Sequence, residues 1–347
     1  MIHGRGAKRK VAAGGGTMAA KMIQPTSNGL YCPAGNFYID PRWPVDCAVI
    51  THAHADHARP GSHTYLCAAP CRRLLRERIG PEAHIESLDY GEVRTIGTAS
   101  LSLHPAGHIL GSARVRIVVD GVTAVVSGDY KTDLDPTCAP LETLRCHELI
   151  SESTFGLPLF RWPSPEQVMA EINGWWAENA ARGRPSVLLA YALGKAQRIL
   201  AGLDAAIGPI LVHGAVEKIN RIYRTEGVAL PETIPFSAAG DKSRRRGAMV
   251  IAPPSALHST WMRPLAGAAT AFASGWMLLR RHRLRRGVDR GFVLSDHADW
   301  NGLMAIVAAS GAESIGVIHG YETEMARWLT EQGYRARALT ASGAGGR

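Results

Sequence analysis

The apolar positions of the chain change rhythm twice. From residue 29 to residue 150 they come in short runs between turn-formers, which predicts strands over 36–39, 48–50, 100–103, 115–119, 122–127 and 148–150. After Pro163 the segments lengthen and alternate. Amphipathic stretches at 165–181, 195–206 and 215–224 read as helices, and short apolar stretches at 186–191, 210–213, 248–251 and 270–273 read as buried strands. Alternating strands and helices make crossover connections, so this region predicts a parallel sheet. The first rhythm returns with a strand at 292–294, a helix at 301–309 and a strand at 314–318.

The expected fold class is therefore α/β, with a parallel α/β unit at 160–289 inserted between two parts of another unit, 21–159 and 290–340. A tail at 1–20, carrying Lys8, Arg9, Lys10 and the glycines Gly14, Gly15 and Gly16, has too little apolar surface to offset its ordering entropy. It is expected to be a disordered basic tail, with Met18 as an alternative start, and 341–347 a second flexible tail.

A length of 347 residues favours two units, and 46% hydrophobic residues with a mean hydropathy of −0.05 exclude a largely disordered chain. No apolar run approaches the ~18 residues of a membrane-spanning helix, and the basic start lacks the apolar core of a secretory signal, so the cytoplasm is expected. The net charge of +9 suits a polyanionic partner without establishing one. Six cysteines without a Cys-x-x-Cys pair argue against a zinc finger and for reduced thiols.

The chemistry concentrates directly after the apolar run 48–50, where His52, His54, Asp56 and His57 fall within six positions. Unpartnered polar side chains at a strand end cost stability, so such a cluster asks for a ligand. In extended chain His52 and His54 point to one side and can share a cation, while a turn afterwards lets Asp56 and His57 face a second.

This His-x-His-x-Asp-His signature resembles that of the metallo-β-lactamase superfamily. Asp40 resembles its first-strand aspartate, which orients the metal loop; His108, in an Ala-Gly-His-Ile-Leu-Gly-Ser stretch, resembles its third motif, and Asp129, in Ser-Gly-Asp-Tyr, its fourth. Three further stretches resemble the β-CASP nuclease branch: Glu152 its motif A, His297 its motif B and His319 its motif C. Between the first two lies the inserted unit, in which 191–198, Tyr-Ala-Leu-Gly-Lys-Ala-Gln-Arg, looks like the branch's Gly-Lys-Ala-Gln helix start. Over residues 22–338 the chain is most similar to the bacterial DNA ligase-associated exonuclease group, also described as messenger-RNA 3′-end processing factor-like.

The resemblance implies a metallo-β-lactamase αββα sandwich with an inserted β-CASP domain, and two divalent ions, zinc with manganese as the alternative. It places one ion among His52, His54, His108 and a bridging Asp129, and the other among Asp56, His57, Asp129 and His319. His297 would be the general acid and Glu152 its orienting partner. The implied activity is hydrolysis of nucleic-acid phosphodiester bonds, as a DNA exonuclease in repair with a DNA ligase and a helicase as partners, or as a ribonuclease processing RNA 3′ ends. RNA-processing members carry histidine at motif C, as this chain does, whereas the Ala-Ser-Gly-Trp at 273–276 looks more like the DNA branch. A small-molecule metallo-hydrolase shares the metal motif but not Glu152, His297 or the insert.

Lys195, Ser274 and Gly275 are the expected phosphate contacts, and Trp276 is an interdomain core residue or a base-stacking one. Arginine runs at 244–246 and 280–286 are backbone contacts or a solvated basic face. His213 shares the strand-end His-Gly form of His319, and chain order assigns motif C to His319.

Overall fold

A computed structural model of the chain describes residues 22–240, 242–285 and 287–339. The tails expected at 1–20 and 341–347 lie outside these residues, as does Arg286.

The first sheet is built from β1 (Gln24–Thr26), β2 (Gly29–Cys32), β3 (Phe37–Ile39), β4 (Cys47–Val49) and β5 (Thr64–Ala68), then, after helix α1 (Arg72–Ile79), β6 (Ile85–Leu88), in that spatial order. The meander β7 (Val93–Ile96), β8 (Ala99–Pro105), β9 (Ala113–Val119) and β10 (Val122–Val126) begins the second sheet, and β11 (Glu148–Ser153) joins it in parallel with β10. The chain then runs through α2 (Pro165–Ala181), β12 (Ser186–Leu189), α3 (Lys195–Gly202), β13 (Ile210–Val212), α4 (Gly214–Thr225), β14 (Ile234–Pro235), β15 (Met249–Ala252), β16 (Ala269–Ala273), α5 (Arg280–Arg285) and β17 (Arg290–Phe292). Those six strands form a third sheet, every pairing parallel, in the order β14-β13-β15-β12-β16-β17. Helix α6 (Trp300–Ser310), β18 (Ser314–Gly320), α7 (Glu322–Glu331) and β19 (Arg335–Ala338) complete the second sheet, with β18 parallel to β11.

Period-two burial on both faces explains the layering. In β10, Ala124 and Val126 enter the core between the first two sheets, while Val125 turns to the core under α6 and α7. Leu74 and Leu75 of α1 cover the outer face of the first sheet. The order is helix, sheet, sheet, helix. The third sheet is likewise buried on both faces: Leu188 packs toward Trp175 and Trp176 of α2, and Val187 and Leu189 pack to the other side.

Helix α2 begins where the pattern predicts because Ser164 and Gln167 form a capping box around Pro165 at the first helical position. Helix α3 stops four residues short of the expected 206. After Gly202 the chain turns extended at Leu203, and the Asp204 carboxylate accepts from the Ala206 amide to close a side-chain turn. The strand expected at 292–294 as the start of the returning part lies instead at Arg290–Phe292, hydrogen-bonded to β16, so the chain leaves the third sheet after Phe292 rather than at 289. Among the described residues no helix is long and apolar enough to cross a membrane.

Candidate functional site

Strands β10, β11 and β18 are parallel neighbours, so the residues that follow them emerge at one edge: Asp129 just beyond β10, Glu152 near the end of β11 and His319 near the end of β18. The 52–57 turn after β4 and the β8–β9 loop carrying His108 meet them there. The close approach is built into the backbone. Gly128 sits at φ +55°, and a Cβ on it would lie 2.8 Å from Cβ of Thr51.

Within this edge, Nε2 of His52 lies 3.0 Å from Nδ1 of His54, which lies 3.1 Å from Nε2 of His108. The Asp129 carboxylate lies 3.6 Å from the first of these nitrogens and 3.9 Å from the third. Ligands of a tetrahedral zinc with bonds of 2.0–2.1 Å are about 3.3 Å apart, so the spacing fits a metal ion. The outer nitrogens settle the question of tautomer. His54 Nε2 faces the Leu193 carbonyl at 3.2 Å and His108 Nδ1 faces the Asp296 carbonyl at 2.9 Å, so each must donate outward. His52 Nδ1 meets Thr51 Oγ1, whose own proton goes to Asp40, and therefore donates as well. Three lone pairs are thus left pointing at one buried point with a carboxylate beside it, which is the chemistry of a cation site. Burial, more than any neighbouring charge, pushes the pKa of His52, His54 and His108 down and keeps the rings neutral, as ligation requires.

Asp40 anchors the other side. It is one of few non-glycine residues at positive φ (+45°), and its carboxylate accepts from the Thr51 amide and hydroxyl and from His57 Nδ1 at 2.7 Å. His57 Nε2 then faces Asp129 at 3.4 Å and Asp56 at 3.8 Å. Burial opposes protonation of His57, yet Asp129 and Asp40 together raise its pKa well above the usual range. The second expected ion site is looser than the first. The Asp56 carboxylate is exposed, and the His319 ring, itself exposed, lies tilted at 5.2 Å from that of His57.

Across the site His297 Nδ1 lies 3.0 and 3.1 Å from the two Glu152 oxygens and 3.9 Å from Asp129. Glu152 is buried and also accepts from the Tyr130 amide. Burial works against the charged ring, but Glu152 and then Asp129 raise His297 to about 9. Trp162 Nε1 donates to the His297 carbonyl and holds its loop.

His54, Asp56, His57, Asp129, His297 and His319 line a cleft of ≈730 Å³ reached by both halves of the chain, with His52, His108 and Glu152 buried behind them. The expected phosphate contacts line it but are already engaged. Lys195 is buried against Asp296 at 2.6 Å, the Ser274 hydroxyl caps the Trp276 amide, and Gly275 is buried against Phe155 and Trp162. Among the described side chains of the two arginine runs, Arg244, Arg245, Arg246, Arg280 and Arg281 do not line the cleft; Arg245 lies 5.0 Å over the Phe236 ring and donates to the Gly240 carbonyl. His213 is accounted for away from the cluster, since its ring accepts from the Ala215 amide as the cap of α4 and packs at a tilt against Trp261. The carbonyls of Leu193 and Asp296 are the positioning groups that no side-chain pattern signals.

No family model matches the chain. The chain is 32% identical over 315 residues to a probable DNA ligase of Opitutus terrae, covering 90% of this chain and 30% of that one. It is 29% identical over 211 residues to an RNase J-like protein of Methanocaldococcus jannaschii, covering 52% of this chain and 50% of the other. The chain therefore spans half or less of the length of these relatives. Among solved structures, a protein of unknown function from Enterococcus faecalis matches 80% of the chain, and is itself covered over 76%, with a TM-score of 0.56 at 14% identity, a likeness of fold alone. With such relatives, and with the histidine and carboxylate motifs lying in the chain in their expected order, the chain belongs to the β-CASP group of the metallo-β-lactamase superfamily.

Proposed function

We propose that the chain is a two-metal nuclease of the cytoplasm that hydrolyses nucleic-acid phosphodiester bonds, acting on DNA as a repair exonuclease. The observation that carries this reading is the meeting of a three-histidine, one-carboxylate cation site with the Glu152–His297 pair beside one cleft, which His54, Asp129 and His297 line. We read residues 21–159 and about 294–340 as the αββα lactamase sandwich and about 160–293 as the β-CASP insert.

His52, His54, His108 and Asp129 would hold one divalent ion, and Asp56, His57, Asp129 and His319 the other; zinc suits the nitrogen-rich first set, with manganese as the alternative. Bound there, the metal ions supply Lewis acidity toward phosphate and a water ionised near neutral pH. The chain itself does the rest. Asp40, Thr51 and the carbonyls of Leu193 and Asp296 fix ring orientation. Glu152 accepts from Nδ1 of His297, which leaves Nε2 as the atom that hands a proton to the departing oxygen.

DNA is favoured because the region like this chain sits within a protein named a probable DNA ligase, which also supports a ligase as partner. A helicase partner rests on the family resemblance alone. A ribonuclease is the second reading, carried by His319 and by the RNase J-like relative. The deciding experiment offers the purified protein, with zinc or manganese, end-labelled single- and double-stranded DNA and RNA of one sequence, with Asp56→Ala as control. Metal-dependent shortening of DNA from an end is expected; cleavage of RNA alone would replace the DNA reading, and no cleavage of either would remove both.

A further inference from the structure

A half-exposed tyrosine stands at the cleft with no part in the chemistry described so far. Tyr191 is 51% exposed, and of the large exposed hydrophobic side chains among the described residues it alone lines the cleft; Trp43, Val93, Leu134, Leu159 and Leu284 do not. An aromatic ring left open to water inside a concave site is a binding surface in waiting.

Its backbone is fixed from several directions. The Tyr191 carbonyl accepts from the Ala196 amide, the next carbonyl, of Ala192, from the Gln197 side chain at 3.0 Å, and the third, of Leu193, faces His54 Nε2. The ring is steadied by Lys195, whose Nζ lies 5.7 Å from its centroid and is itself pinned by Asp296. The tyrosine is thus a rigid platform, and a ligand meeting it has little ordering cost left to meet. Leu193, whose carbonyl orients His54, lies two positions along, at most about 7 Å of extended chain. Tyr191 and the cluster residues His54 and Asp129 line the same cleft.

The other aromatic residues of the cleft are differently placed. Phe155 is buried, and Trp276 packs against Phe155 at 4.8 Å, Phe160 at 5.7 Å and His282 at 5.4 Å, so the tryptophan expected as a possible stacking residue is mostly spent on the core.

We propose that Tyr191 stacks an unpaired base of the nucleic-acid strand, the base of a nucleotide flanking the phosphate held at the histidine cluster. The proposal rests on the nuclease reading. It makes the strand's acceptance of the site depend on a π-face, which every base has and a paired base in a duplex does not offer, so the substrate is single-stranded or frayed at the cleaved end. Residues of the cation site and the Glu152–His297 pair would then read only the backbone.

The test is a cycle of protein and substrate. The whole protein and its Tyr191→Ala and Tyr191→Phe variants are given a single-stranded DNA oligonucleotide and versions of it in which one nucleotide near the cleaved end is replaced, position by position, by an abasic tetrahydrofuran residue. The unmodified protein should lose about tenfold in kcat/KM at one abasic position, the order of one base–aromatic stack. Tyr191→Phe should keep that loss, and Tyr191→Ala should abolish it, because its platform is already gone. Equal sensitivity to the abasic position in all three proteins, or none in the unmodified one, would overturn the stacking proposal. Each comparison is made within one protein, so reduced folding of a variant cancels. Metal-dependent hydrolysis of methyl p-nitrophenyl phosphate is run in parallel; failure of the unmodified protein on both this diester and DNA would sink the nuclease reading itself, and the platform with it.

Discussion

Nζ of Lys195 lies 2.6 Å from the Asp296 carboxylate with both side chains buried, and the backbone carbonyl of the same aspartate accepts from Nδ1 of His108. One residue therefore ties helix α3, on the third sheet, to a histidine of the cation cluster. Burial works against a charged Asp296, but Lys195, ahead of other neighbours, holds it down at about 2. Arg198 reinforces the tie by donating to the Ser295 carbonyl. Lys195 is in this light a positioning residue rather than a phosphate contact.

Replacing it should consequently look like breaking a buried pair. Lys195→Met is expected to cost about 3–5 kcal/mol of stability, since it leaves an uncompensated carboxylate in a dry interface. Urea unfolding measures this. The salt dependence of DNA binding by whatever folded variant remains should keep its slope; a slope lower by about one would restore the phosphate-contact role.

The same helix start has a tight backbone constraint. Gly194 adopts φ +88°, and a Cβ there would lie 2.3 Å from Cγ2 of Ile109, the neighbour of His108. Gly194→Ala should lower stability by about 1–3 kcal/mol through strain and overpacking. Because the displaced residue adjoins a cluster histidine, the variant should also bind divalent metal more weakly, read by zinc titration with an indicator dye.

Much of this was legible in the sequence, and the reasons differ by element. The histidine string after β4 announces itself because nothing structural requires four such side chains in six positions, and α2 is bounded by Pro165 and its capping box. Helix α1 escapes notice because in Arg72–Ile79 only Leu74 and Leu75 are buried among five charged residues. Strand β17 is misassigned because Phe292, Val293 and Leu294 form one apolar run, while parallel pairing with β16 takes Arg290, Gly291 and only the first residue of that run. The clasp between Lys195 and Asp296 joins positions a hundred residues apart, and the carbonyl contacts of His54 and His108 carry no residue-type signal at all.

The outward-donating histidines imply a direct metal effect on stability. A cation that binds the folded cluster at a hundred times its dissociation constant should stabilise the protein by about 2.7 kcal/mol. Thermal melts with and without zinc, after chelation, measure the difference. His108→Ala removes one of three converging nitrogens and should abolish most of the metal-dependent shift, whereas His213→Ala, which removes only a helix cap, should lower the melting temperature but leave the shift intact.

Glu148, at the start of β11, offers a pH signature independent of the site. It is 1% exposed, its carboxylate oxygens have no hydrogen-bond partner, and Arg337 comes no nearer than 3.7 Å. Burial raises its pKa to about 7, opposed only weakly by that arginine. In the unfolded chain the group would titrate near 4.3, so between these values the folded state holds more protons than the unfolded one. The sign follows: stability contributed by the neutral acid is present below pH ~4.3 and is lost as pH rises through ~7. At roughly 1.4 kcal/mol per unit the loss is of order 4 kcal/mol. Glu148→Gln keeps the shape without the charge and should be more stable than the unmodified protein at pH 8 by up to that amount, the two converging near pH ~4. Urea melts at pH 5, 6, 7 and 8 test this, and a constant difference across the series would show that Glu148 does not titrate in the folded protein.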